Sequence, residues 1–73
     1  MEYPIRDKIE YIIALVDEFA KKLSLTAKQA YHYLQFYKGI ELIIKHYGIL
    51  HTLSFEDALE DLEIYCRKNG GSL

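Results

Sequence analysis

The chain carries one cysteine, Cys66, so no intrachain disulfide can brace it, and one proline, Pro4, close to its N-terminal end. Glycine is limited to four copies, two of them adjacent at Gly70 and Gly71. That scarcity, with 51% hydrophobic content, excludes a disordered or low-complexity chain. No apolar run approaches the roughly 20 residues of a membrane span. The start, Met1-Glu2-Tyr3-Pro4, lacks a basic region followed by an apolar stretch and a cleavage site, so neither anchor nor secretory signal is expected and a cytoplasmic location is the default.

Clustered positive charge is missing as well. Residues 1–24 hold four basic groups against five acidic, residues 25–50 hold Lys28, Lys38 and Lys45 against Glu41, and residues 51–73 hold Arg67 and Lys68 against five acids. No stripe of cations is available to neutralise many phosphates, so nucleic acid is disfavoured as a partner. At 73 residues the chain is expected to form one domain. A domain of that size buries only about 60% of its unfolded surface.

What the chain does have is apolar residues at helical spacing. Ile5, Ile9, Ile12, Ile13, Val16, Phe19, Ala20 and Leu23 define a first helix from Pro4, with Tyr11 and Leu15 widening its stripe. Pro4 suits a helix start because its missing N–H has no partner there in any case. Asp17 with Lys21 and Glu18 with Lys22 are i,i+4 pairs in the favoured order. Thr26 and Gln29 fit a capping box, and a second helix follows from Ala27 to Tyr37 or Lys38. Gly39 breaks the chain before a short third helix through Ile40, Ile43, Ile44 and Tyr47.

Gly48 is expected to end that helix in the left-handed conformation that glycine tolerates best. Ile49-Leu50-His51-Thr52-Leu53 should then tuck across the core, with His51 and Thr52 bonded to backbone groups of this corner. Ser54 caps the last helix. Its inward stripe is Phe55, Ala58, Leu59, Leu62, Tyr65 and Cys66, and Glu56, Asp57, Glu60, Asp61 and Glu63 project outward. Residues 70–73 should fray. The expected fold is all-α: a small bundle of three long helices plus one short helix.

Chemistry is harder to place. His46, His51 and Cys66 lack the spacing and the fourth ligand of a zinc site, so no metal or cofactor is expected. No nucleophile, base and orienting acid fall into a catalytic grouping, so no enzyme is expected. Two surface features remain. Ten Tyr and Phe residues exceed what so small a core can bury, and tyrosine is favoured at interfaces for its rigid ring and polar tip. Tyr33 and Phe36, on the outer side of the second helix, and Tyr37 beside them are the aromatic candidates for partner contact. Glu56, Asp57, Glu60 and Asp61 form an acidic ridge that is either a solvated helix start or a docking face for a basic protein.

A helix–turn–helix of Thr26–Tyr37 and Ile40–Tyr47 has suitable lengths. Its reading helix, however, is mostly apolar with one Lys and one His, where groove recognition needs Arg, Lys, Asn or Gln.

Taken together, Lys38-Gly39, His46-Tyr47, Leu50-His51-Thr52, Ser54-Phe55-Glu56-Asp57, Glu60-Asp61-Leu62 and Tyr65-Cys66-Arg67-Lys68-Asn69-Gly70-Gly71, with Phe19-Ala20 and Gln29-Ala30, resemble a family of short bacterial proteins, the domain of unknown function numbered 3791. The resemblance spans nearly the whole chain and implies a stand-alone bacterial cytoplasmic protein. It further implies a gene neighbour encoding a small protein of enzyme-like fold, as in a toxin–antitoxin-like pair. The expected function is therefore a non-catalytic protein–protein interaction module, an antitoxin-like or accessory partner of a co-encoded protein. The alternative is a helix–turn–helix regulator of DNA. In isolation the chain is expected to form a homodimer through Tyr33 or Phe36, and Tyr33→Ser with Phe36→Ser should yield a folded monomer.

Overall fold

Pro4 sets the first helix in motion. Its φ of −57° and ψ of 141° leave it just outside the helix, and its carbonyl accepts the amides of Asp7 at 3.1 Å and Lys8 at 3.4 Å. A computed structural model describes residues 3–71 of the chain. Five helices lie among them: α1 (Ile5–Leu23), α2 (Ala27–Phe36), α3 (Gly39–Lys45), α4 (Tyr47–Leu50) and α5 (Phe55–Lys68). The all-α bundle with three longer helices is as expected; the extra element is the single turn of α4.

Helix ends follow local chemistry. Ser24 closes α1 in the left-handed region at φ 57°, and Leu25 N–H reaches back to the Ala20 carbonyl at 2.8 Å. This is the six-to-one closure usually built on glycine. At α2 the capping box forms in full: Thr26 Oγ1 accepts the Gln29 amide at 3.1 Å and Gln29 Oε1 accepts the Thr26 amide at 2.9 Å. Lys38, at φ 66°, turns the chain into α3. Ser54 Oγ accepts the Asp57 amide at 3.2 Å. Gly70, at φ 97°, ends α5, and the Gly71 amide bonds the Cys66 carbonyl at 2.8 Å.

The core is one cluster. Leu15, Phe19, Ala30, Leu34, Ile43, Ala58, Leu62 and Cys66 are fully buried, and no charged or polar side chain is buried with them among the described residues. Helix α1 is the shared wall, packed by α2, α3 and α5, while α3 also rests on α2 and α5. The expected stripe of α1 is corrected here. Leu15 and Phe19 lie at its centre, while Ile5, Ile9 and Ile13 are exposed. Ile5, Ile9 and Ile13 share a flank of α1 turned away from Leu15 and Phe19. On α5, Ala58, Leu59, Leu62 and Cys66 are buried as expected, but Phe55 is 43% exposed.

Two expected ion pairs are replaced. Lys21 pairs with Glu18 at 3.5 Å. Lys22 instead crosses to α5, where its Nζ lies 2.8 Å from Glu63 Oε1. Glu63, expected to face outward, is thus drawn inward, with Arg67 at 3.4 Å from its other oxygen.

Gly48 also departs from expectation. It lies inside α4, and Gly70 is the glycine with positive φ among the described residues. The helical bonds run through it, from Ile49 and Leu50 amides to the His46 carbonyl and from the His51 amide to the Tyr47 carbonyl. A Cβ at Gly48 would meet only the Tyr3 ring, at 3.5 Å. Gly48→Ala is therefore expected to leave the melting temperature unchanged or to raise it slightly, through a gain of up to about 1 kcal/mol from helix propensity and a less flexible unfolded chain. A clear drop in a thermal melt would restore the terminator role.

Cys66 gives the core a pH signature. Burial pushes its thiol up to about 11 from an ordinary 9.0, because the thiolate is poorly solvated there. The thiol is favoured in the folded state, so as pH rises past the unfolded value the unfolded chain ionises first and folding weakens. Stability is therefore full below about pH 9 and is expected to fall by on the order of 2 kcal/mol by pH 11. Urea titrations across that window check it: Cys66→Ala should flatten the slope, and a wild-type stability that does not change with pH would contradict it.

Candidate interaction surface

The three aromatic candidates on α2 separate in the structure. Tyr33 turns inward: its ring stacks on Phe19 at 5.8 Å and meets Tyr37 at 4.9 Å, and its hydroxyl donates to the Gly71 carbonyl at 3.0 Å. Burial, chiefly, holds that hydroxyl above its usual pKa range. Tyr33 is therefore a structural residue, and its expected place on the outer side of the second helix is corrected. Tyr37 is half-buried beside it. Phe36 alone points out, at 69% exposure. The tail is corrected with Tyr33: Gly71 is buried under it, while Ser72 and Leu73, included in the expected fray, lie outside the described residues.

The corner before α5 is built as its residue types suggested. His51 Nδ1 lies 2.7 Å from the Tyr47 carbonyl, an acceptor, so the proton sits on Nδ1. Thr52 Oγ1 donates to the Ile49 carbonyl at 2.7 Å. Rings lock the same place from above: Tyr47 stacks on His51 at 4.6 Å, and Tyr3 meets both edge-on. Tyr11 donates to the Leu50 carbonyl at 3.0 Å, which ties α1 to the turn. Together these bonds hold the entry angle of α5. They use the polar atoms of His51 and Thr52 structurally.

Glu56, Asp57, Glu60 and Asp61 are all exposed on α5, as a ridge requires. Three of them line two different grooves. Glu56 and Glu60 line a shallow groove with Leu59, Glu18, Lys21 and Lys22 at the α1–α5 seam. Asp61 lines another with Leu42, Ile64, Tyr65 and Lys68 between α3 and α5. The adjoining groove holds Glu41, Leu42, Ile44, Lys45, His46 and Tyr65. These grooves share Leu42 and Tyr65, and they form one apolar channel with charged rims.

Sequence reading missed a further feature. Ile44 also borders a groove with Tyr3, Ile5, Ile9 and Ile12, and Ile12 and Ile13 lead on to Ala27 and Tyr31 of α2. An apolar band thus runs from Ile64 on α5, over α3, along α1 to α2. Ile5 is 76% exposed, Ile13 59% and Ile44 49%. The signal was present in α1, whose apolar arc is too wide for one core-facing stripe: Leu15 and Phe19 lie on one side of it, and Ile5, Ile9 and Ile13 on the other.

Among the described residues no three potential metal ligands of the His, Cys, Asp and Glu type are grouped. No helix there is long and apolar enough to cross a membrane. Fold and surface define a small all-α domain with a braced aromatic corner and an open, partly apolar exterior. Over residues 10–69 the chain matches the model of a family described as "Protein of unknown function (DUF3791)". The chain belongs to the DUF3791 family. No curated protein and no solved structure matches it.

Proposed function

We propose that this protein acts without catalysis, by binding another protein, as an antitoxin-like or accessory partner of a protein encoded beside it. The observation that carries this reading is the α3–α5 channel, in which Leu42, Ile64 and Tyr65 are bordered by Glu41 and Asp61 and also by Lys45 and Lys68, next to the exposed acids of α5. Exposed apolar side chains joined into a patch with a polar rim mark contact surfaces. The rim itself is of mixed charge, and the exposed acids of α5 beside it favour a partner that presents an apolar anchor flanked by Lys or Arg, with charge steering the encounter. Phe36 lies outside these grooves and serves as a second, independent anchor.

DNA recognition is less well supported. Gly39 and Ile43 of α3 are buried, and its exposed residues are Glu41, Ile44 and Lys45. That set offers one cation, where a groove-reading helix presents several hydrogen-bonding side chains.

The test is co-expression with the product of the neighbouring gene, only one of the two chains bearing a tag. A complex that elutes together, and that Ile64→Asp or Asp61→Lys with Glu60→Lys dissolves while the helical content stays, is the expected result. Failure of the two chains to associate at any ratio would overturn the reading.

A further inference from the structure

We draw no further inference here: the strongest candidate, the exposed apolar patch that Ile5, Ile9 and Ile13 form on α1, carries nothing, because nothing in the structure shows what covers it.

Discussion

Gly39→Ala is expected to destabilise the domain by about 2–3 kcal/mol, the range of an overpacked core. A Cβ at this position would lie 2.8 Å from Leu34 Cδ2, 3.0 Å from Cys66 Sγ and 3.2 Å from the Leu34 carbonyl oxygen. Leu34 and Cys66 are themselves fully buried, so neither side chain has free space to retreat into, and the carbonyl belongs to α2 itself. Gly39 is where α2, α3 and α5 converge, and the missing side chain lets them touch. An alanine gains up to about 1 kcal/mol over glycine in a helix interior, but Gly39 is the first residue of α3, where that gain is smaller. Overpacking wins. For a chain of this size each kcal/mol shifts the melting temperature by about 4–8 °C, so a drop of about 10–20 °C is expected in a calorimetric scan. Gly48→Ala provides the matched control, since the same added methyl there has open space. Equal melting temperatures for the two variants would refute the close approach at Gly39.

The contrast between these glycines shows what the sequence could and could not reveal. Both stand near helix boundaries, and residue type alone favours a left-handed role for either. Positive φ fell instead to Gly70 and to Ser24 and Lys38, the last two being side chains that give little warning of it. Local signals were legible where the physics is local. The Thr26–Gln29 box, the Ser54 cap and the backbone bonds of His51 and Thr52 each depend on residues at most four apart, and each formed. What depends on the meeting of distant segments was not legible. Helical spacing showed that α1 has a wide apolar arc, but which part of the arc is covered depends on where α2, α3 and α5 cross it. Hence Leu15 lies at the centre and Ile5, Ile9 and Ile13 outside. Lys22 likewise had a local acid at i−4, and Glu63 from α5 took its place. The acidic ridge was readable as exposed charge, yet its division between two grooves required the neighbouring helices.

Tyr33→Ser is expected to destabilise the fold by about 3 kcal/mol, the low end for removing a large aromatic ring because Tyr33 is half-buried, whereas Phe36→Ser should stay within about 0.5 kcal/mol, as surface changes usually do. The two residues are three apart on one helix and were equivalent by residue type. Their surroundings differ. Tyr33 stacks on Phe19, a residue of the fully buried core, and its hydroxyl holds the Gly71 carbonyl. Gly71 must itself be glycine for this closure, since a Cβ there would lie 2.7 Å from the Tyr33 hydroxyl and 2.8 Å from the Tyr37 ring. Tyr33→Phe isolates the hydrogen bond: it should destabilise by about 1 kcal/mol and speed amide exchange at Gly71 before that within α5. Phe36 touches Tyr37 and otherwise faces solvent. The double change Tyr33→Ser, Phe36→Ser is therefore expected to melt well below the wild type, and it reports folding and not association. Urea titrations of the two single variants check this directly. Should Phe36→Ser prove the more destabilising, the inward and outward assignments of α2 are reversed, and Tyr33 would return to the contact surface in place of Phe36.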